Sequence, residues 1–221
     1  VGGKTGINSD YGKNLIGAFH SPIAVIIDTA FLKTLSDRDF SAGMAEVIKC
    51  GFIADRKILD VAIAHTVDSV RRNHDVISEL MHSAVMVKAQ VVSSDFKESF
   101  AREVLNYGHT LGHAIEIHAK YQLRHGEAVA IGLVYAAELA AARGLITASE
   151  LDLHRTILVA YKLPITFDRQ AWQKLAPLLA LDKKARGNTI RFVALNGIGS
   201  TIRLEDLTSA ELDAAYERIS S

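Results

Sequence analysis

Four of the nine histidines fall between residues 109 and 125, among them His109, His113 and His125, and His109 and His113 are four apart in a stretch that continues with helix-forming residues. On an α-helix, positions i and i+4 lie one above the other, so His109 and His113 are predicted to project from one face. Neutral imidazole is the commonest protein ligand for zinc-like metals, and a catalytic metal takes three protein ligands and keeps a position open. Spacing therefore nominates His109 and His113 as a ligand pair, with His125 or a carboxylate as the third. The competing reading is a helix that carries two histidines and ligates nothing. Gly108 and Gly112 weigh against it. Glycine costs about 1 kcal/mol relative to alanine inside a helix, so two of them beside the histidines imply a close approach to the backbone.

Two other charged groups stand out because their surroundings are apolar. Residues 40–50 form a small, apolar helical stretch whose only charges are Glu46 and Lys49, three apart on one face. A charged pair on such a helix is either a buried structural ion pair or a functional one, and the reading here is functional. Lys88 is likewise the lone charge in the run from 84 to 92. Residues 1–20 combine Gly2, Gly3, Gly6, Gly12 and Gly17 with Lys4, Lys13 and Asn14. That composition offers backbone N–H groups and ammonium groups to an anion such as phosphate; the alternative is a solvated surface loop. Gly3, Lys4 and Thr5 also match the end of a P-loop, but a P-loop runs straight into a helix, and Gly6, Asn8, Asp10 and Gly12 would break one.

The elements that must position these groups are mostly helical. A chain of 221 residues, 49% of them hydrophobic, can fill a substantial core. A formal charge of zero excludes a dominant basic surface for nucleic acid or anionic lipid. The apolar run from 128 to 142 contains Glu138 and is too short to span a bilayer comfortably. A single cysteine, Cys50, precludes an intrachain disulfide and fits a reducing cytoplasm. Residues 22–28 read as a buried strand. Ser36 to Asp39 reads as a capping box before a helix, and further helices are predicted over 56–74 and 76–95. Asp95, Lys97, Glu98 and Arg102 form a charged link into the histidine helix. Residues 128–143 read as a central buried helix with Gly144 at its C-terminal end. Another helix opens at the capping box of Thr147 and Glu150, one more covers about 170–181, and a last is capped by Thr208 and Glu211. Strands over 189–195 and 200–204 suggest a hairpin around residues 197–199. With no repeat and no linker, residues 1–221 read as one mainly helical domain, led into by the glycine-rich loop of residues 1–20. The opening at Val1, directly into a glycine-rich element, suggests that an upstream part belongs with it.

Six motifs taken together carry a family resemblance. Gly2-Gly3-Lys4-Thr5, Gly12-Lys13-Asn14, Ala45-Glu46-Val47-Ile48-Lys49, the stretch from Asn106 to His113, His125-Gly126-Glu127 and Asp182-Lys183-Lys184 follow one another as in 3-dehydroquinate synthases, and the likeness runs from Val1 to at least Leu195. The resemblance implies a mainly α, helical C-terminal domain of the dehydroquinate synthase-like fold with a few short strands. The family's N-terminal Rossmann-like NAD domain is absent from this sequence, which has no Gly-x-Gly-x-x-Gly fingerprint.

The same resemblance implies metal ligands Glu46, His109 and His125, which departs from the spacing argument by moving His113 to the substrate. It implies that Lys4, Asn14 and one of Lys183 or Lys184 hold the substrate phosphate, and that Lys88, Arg102 and Asn106 hold its carboxylate and hydroxyls. Lys49 would reach the reacting carbon centre, with His113, Lys88 and Asn106 beside it in the chemistry. Lys13 would assist the cofactor, with Asp95 and Glu98 as orienting groups. The implied cofactors are zinc or cobalt and NAD, the latter held mostly by the N-terminal half. The implied reaction is the lyase step that turns 3-deoxy-D-arabino-heptulosonate 7-phosphate into 3-dehydroquinate and phosphate in the shikimate pathway of aromatic amino acid biosynthesis. A cytoplasmic homodimer without nucleic-acid or membrane partners is implied, and the chain without its NAD half is expected not to turn over. The alternatives are another sugar-phosphate cyclase of the superfamily, a more distant iron-containing alcohol dehydrogenase, which would lack this lysine-rich set, and a catalytically inactive helical fragment.

Overall fold

The computed structural model describes residues 4–9, 12–20, 23–94, 100–185 and 190–221. The glycine-rich start, read as a loop, is an antiparallel hairpin of β1 (Lys4–Ser9) and β2 (Gly12–Phe19), with an irregularity between Ile7 and Ser9. The strand expected over residues 22–28 is not formed where the chain is described. Residues 23–28 have no regular structure, and Ile23 and Ile26 are exposed. An apolar run becomes a buried strand only when another strand completes its hydrogen bonds and another layer covers it. Among the described residues, β1 and β2 pair only with each other, and nothing covers Ile23 or Ile26. A 3-10 turn follows at Thr29–Thr34, opened by Asp28.

From Ser36 onward the chain is a helical assembly. The Ser36 hydroxyl accepts the Asp39 N–H and opens α1 (Asp37–Ile53). The helix expected over 56–74 is two, α2 (Arg56–Ala64) and α3 (Val67–Arg72), because His65 turns extended and Thr66 caps a new start by accepting the Ser69 N–H. Then come α4 (His74–Ser94), a 3-10 turn (Phe100–Asn106), α5 (His109–His118), α6 (His125–Ala142) and α7 (Ala148–Ala160). Reciprocal Thr147 and Glu150 hydrogen bonds start α7, as expected. A short 3-10 turn leads into α8 (Trp172–Ala185), followed by the hairpin β3 (Phe192–Leu195) and β4 (Thr201–Leu204) and by α9 (Ser209–Arg218), with its Thr208 and Glu211 capping box. No helix among the described residues is long and apolar enough to cross a membrane.

Helix α6 is the centre of this assembly. Its residues 128–140 are all buried, and it packs against α1, α5, α7, α9 and β3. An α-helix that is apolar all round can be satisfied only by neighbours on every side. Its one buried charge, Glu138, is matched by Arg155 of α7 and, at 3.7 Å, by Arg218 of α9. Two glycines set how closely the neighbours approach. A Cβ on Gly126 would lie 1.8 Å from the Ala42 carbonyl oxygen of α1, and one on Gly132 would lie 1.9 Å from the Gly108 carbonyl oxygen. No other residue allows both approaches.

Crossed ion pairs hold the same junction. Arg38 grips Glu127 through two nitrogens at 2.6 and 2.7 Å, and Arg124 reaches Asp39 at 2.6 Å, so the N-termini of α1 and α6 are tied together. Glu127 also accepts the Arg124 backbone N–H at 2.8 Å, which caps α6. On the far side of the core, His154 of α7 is fully buried, stacked on Phe52 with ring centres 3.6 Å apart. Burial holds its pKa below the ordinary 6.5, at about 4; the Glu150 carbonyl and carboxylate oppose that shift and the charge of Arg155 adds to it.

Two measurements test this account. Gly43 of α1 has nothing within 4 Å of an added Cβ. Gly43→Ala should therefore raise stability by up to about 1 kcal/mol. Gly126→Ala should lower it by about 1–3 kcal/mol through overpacking, and equal unfolding midpoints for the two variants would refute the close-approach argument. For His154, the unfolded chain takes up a proton near pH 6.5 while the folded chain resists to about pH 4. The stability of the neutral buried ring is complete above pH 6.5 and is lost as pH falls toward 4. The gap in thermal midpoint between the parent and His154→Gln should narrow over that window; a gap independent of pH would contradict it.

Candidate metal and substrate site

Glu46 comes from the middle of α1, while His109 and His125 are the first residues of α5 and α6. The three converge because α1 crosses the N-terminus of α6 at Gly126 and because Gly132 admits the turn that starts α5. Glu46 Oε1 lies 3.4 Å from His109 Nε2 and 3.6 Å from His125 Nε2. The three ligand atoms lie within 4.8 Å of one another. Glu46 Oε1 is buried and has no hydrogen-bond partner. An orphaned carboxylate oxygen facing two imidazole nitrogens fits a divalent cation, because burying such an atom unmatched is costly.

Glu46 and His109 are held in ligating protonation states, while His125 is held in orientation and keeps a proton that a metal would displace. Lys49, buried, donates to Glu46 Oε2 at 2.8 Å. Burial pushes the Glu46 carboxyl up, but the nearby His125 ring, 3.6 Å away, and the charges of Lys49 and His109 outweigh it and keep the group ionised. Burial and then the Lys49 ammonium push His109 down to about 3, so its ring is neutral. His109 Nδ1 lies 3.1 Å from the Tyr107 carbonyl oxygen, which can only accept; the proton therefore sits on Nδ1 and the Nε2 lone pair is free. His125 Nδ1 lies 3.2 Å from the carboxylate of Glu116, a buried residue of α5. Glu116 and then Glu46 raise His125 to about 9. A carboxylate behind a ligating histidine fixes the ring and raises its basicity.

Where the structure places the remaining expected residues differs from group to group. His113 lies one turn beyond His109, its ring 5.2 Å from the His109 ring and 6.0 Å from that of His125. The pairing of His109 with His113 expected from spacing is thus a true adjacency, yet His113 stands outside the Glu46 set and belongs to a second cluster with Glu116 and His125. That cluster shares His125, whose Nδ1 is already engaged by Glu116. Arg102 and Asn106 sit on the 3-10 turn Phe100–Asn106, which packs against α1, α4 and β3. Lys88 lies on α4, close enough to α1 for its charge to act on the Cys50 thiol. Lys4 is on β1 and Lys13 and Asn14 are on β2, while Lys183 and Lys184 are in the last turns of α8. Asp95 and Glu98 lie outside the described residues.

Two contributors escaped the sequence reading. Glu116 is a lone carboxylate in an apolar stretch three residues after His113, the same kind of signal that singled out Glu46 and Lys88. Arg203 of β4 pairs with Glu103 and so anchors the turn that carries Arg102 and Asn106. No local spacing could reveal a partner 100 residues away.

The family model described as 3-dehydroquinate synthase C-terminal matches residues 43–185, and the one described as 3-dehydroquinate synthase N-terminal matches residues 1–42. The chain is 51% identical over 221 residues to a 3-dehydroquinate synthase of Paenarthrobacter aurescens, covering 100% of this chain and 61% of the relative. It is 50% identical over 219 residues to that of Mycolicibacterium vanbaalenii, covering 99% and 61%. The chain thus spans about three fifths of the length of these relatives. Among solved structures, a 2-epi-5-epi-valiolone synthase from Streptomyces hygroscopicus subsp. jinggangensis with NAD+ and Zn2+ bound superposes with a TM-score of 0.90 at 28% identity, covering 99% of this chain and 61% of that one. A 2-deoxy-scyllo-inosose synthase complexed with carbaglucose-6-phosphate, NAD+ and Co2+ shares the fold, with a TM-score of 0.79 at 23% identity over 98% and 62% of the two chains. With its helical body matched by the C-terminal family model and its whole length by these relatives, the chain belongs to the 3-dehydroquinate synthase family.

Proposed function

We propose that the chain is the metal- and substrate-binding part of a 3-dehydroquinate synthase that acts on 3-deoxy-D-arabino-heptulosonate 7-phosphate. The observation that carries the reading is the convergence of Glu46, His109 and His125 around a buried, unpartnered carboxylate oxygen. Identity of 51% to a named 3-dehydroquinate synthase, against 28% to a valiolone synthase, favours this cyclase over its sister enzymes. A zinc or cobalt ion held by those three residues would supply Lewis acidity toward substrate hydroxyls, and NAD would supply reversible hydride transfer.

The protein's own groups divide the remaining work. Lys49 keeps Glu46 charged and aimed, and it acts on the reacting carbon centre. His113, exposed beside His109, is placed to carry a proton between substrate and solvent. Arg102 and Asn106 take the substrate carboxylate and adjacent hydroxyls, with Lys88 approaching from α4. Lys4, Asn14 and one of Lys183 or Lys184 hold the phosphate; Lys13 assists the cofactor, and Asp95 and Glu98 orient the others. The NAD-binding half packs against residues 23–35, where Ile23, Ile26 and Phe31 are exposed within the stretch matched by the N-terminal model. An exposed apolar run of this kind calls for a covering surface. The assembled enzyme acts as a cytoplasmic homodimer.

The test is phosphate release from the heptulosonate phosphate with NAD and zinc, measured on this chain and on a version extended upstream by an NAD-binding half. Only the extended protein should release phosphate, and 3-dehydroquinate should be the carbocycle formed. A different carbocycle from a different sugar would assign a sister cyclase. Glu46→Ala, His109→Ala and His125→Ala should abolish turnover and weaken zinc binding more than the about 10–100-fold typical of an outer-shell partner. Glu116→Gln should fall within that about 10–100-fold range, measured by chelator competition. Zinc affinity unchanged in all four variants would sink the ligand assignment.

A further inference from the structure

His109 can ligate through Nε2 only while its proton stays on Nδ1, and the group that keeps it there is the Tyr107 carbonyl at 3.1 Å. What fixes that carbonyl lies deeper in the core. Tyr107 is fully buried, and its hydroxyl lies 2.9 Å from His154 Nε2. His154 Nδ1 lies 2.7 Å from the Glu150 carbonyl oxygen. A carbonyl only accepts, so His154 carries its proton on Nδ1, its Nε2 accepts, and the Tyr107 hydroxyl must donate. The His154 ring is clamped flat on Phe52, at an interplanar angle of 8°. Between Tyr107 and His109 stands Gly108 in the left-handed region at φ 78°, its carbonyl oxygen against the bare backbone of Gly132. The backbone leading into His109 is thus pinned at both ends.

We propose that the buried Tyr107 and His154 pair is a positioning device for the metal site, which orients the Tyr107 carbonyl and thereby holds His109 in its ligating tautomer and direction. The inference rests on the reading of Glu46, His109 and His125 as the metal ligands. A phenylalanine at position 107 and a leucine at 154 would fill much of the same space without burying a hydroxyl and an imidazole. Such groups are costly to bury, so the polar pair is suited to fixing one orientation where an apolar contact would permit several. Outer partners of this kind typically change metal affinity by about 10–100-fold.

The experiment measures Co2+ affinity of the chain by competition with a chromophoric chelator, together with the visible absorption of the bound cobalt, and far-UV circular dichroism reports folding. Tyr107→Phe and His154→Leu should weaken cobalt binding by about 10–100-fold and alter the cobalt spectrum. His154→Gln, whose amide oxygen can accept the Tyr107 hydroxyl, should restore most of both. Parent affinity and an unchanged spectrum in Tyr107→Phe, with binding lost in His109→Ala, would overturn the positioning role and leave the ligand assignment standing. Parent affinity in His109→Ala would remove the ligand assignment and the positioning role with it. Where His154→Leu does not fold, Tyr107→Phe decides alone.

Discussion

The site depends on one steric constraint, the passage of α1 across the first turn of α6 at Gly126. With a Cβ 1.8 Å from the Ala42 carbonyl oxygen, any other residue there would force the helices apart. Glu46 lies one turn beyond Ala42 on α1, and His125 is next to Gly126, so a separation of helices is directly a separation of carboxylate from imidazole. The ion pairs Arg38 to Glu127 and Arg124 to Asp39 reinforce this junction from the solvent side. Exposed pairs of this sort add little stability individually. Two crossed pairs at one junction nevertheless restrict sliding and rotation, which matters more for a site than the free energy they contribute. The His-Gly-Glu motif is therefore a structural sentence: one residue faces the site, the next permits the approach, and the third caps the helix and anchors its neighbour.

Much of this was legible in the sequence, for reasons that differ by element. The N-caps at Ser36, Thr147 and Thr208, the last two as full capping boxes, were readable because an N-cap is satisfied within four residues. The centrality of α6 was readable because an all-apolar helix has nowhere else to go. The strand expected over 22–28 failed because an apolar β-branched run specifies a preference while a strand also needs a partner. The single helix expected over 56–74 failed because periodicity continues through His65 and Thr66, and only the cap formed by Thr66 breaks it. Local spacing could place His113 beside His109 but could not bring Glu46 across more than sixty residues; that needed the resemblance, and then the fold.

Electrostatics at the site follows from the same packing. Lys49 and Glu46 are one turn apart, so the helix itself delivers an ammonium to one carboxylate oxygen and leaves the other bare. The two histidines differ in charge state because their surroundings differ. Burial and the Lys49 ammonium keep His109 neutral, whereas the Glu116 carboxylate favours a proton on His125. A cation arriving between them would replace that proton, since a ligating imidazole must be neutral.

The division between residues 1–42 and 43–185 in the family models falls inside α1, a few residues past a physical boundary near Ser36. From Ser36 onward, the described chain is a packed helical body in which Glu46, Lys49, His109 and His125 are set by core contacts. Before it, the hairpin and the exposed run at 23–35 have no core of their own among the described residues. Groups that must keep fixed distances, such as ligands to one ion, belong in the rigid body. Groups that grasp a flexible phosphate from outside, as proposed for Lys4 and Asn14, can sit on an element whose position is set when a second body docks. The proposed metal site would then be assembled by folding of the helical part, and the proposed substrate site completed by association.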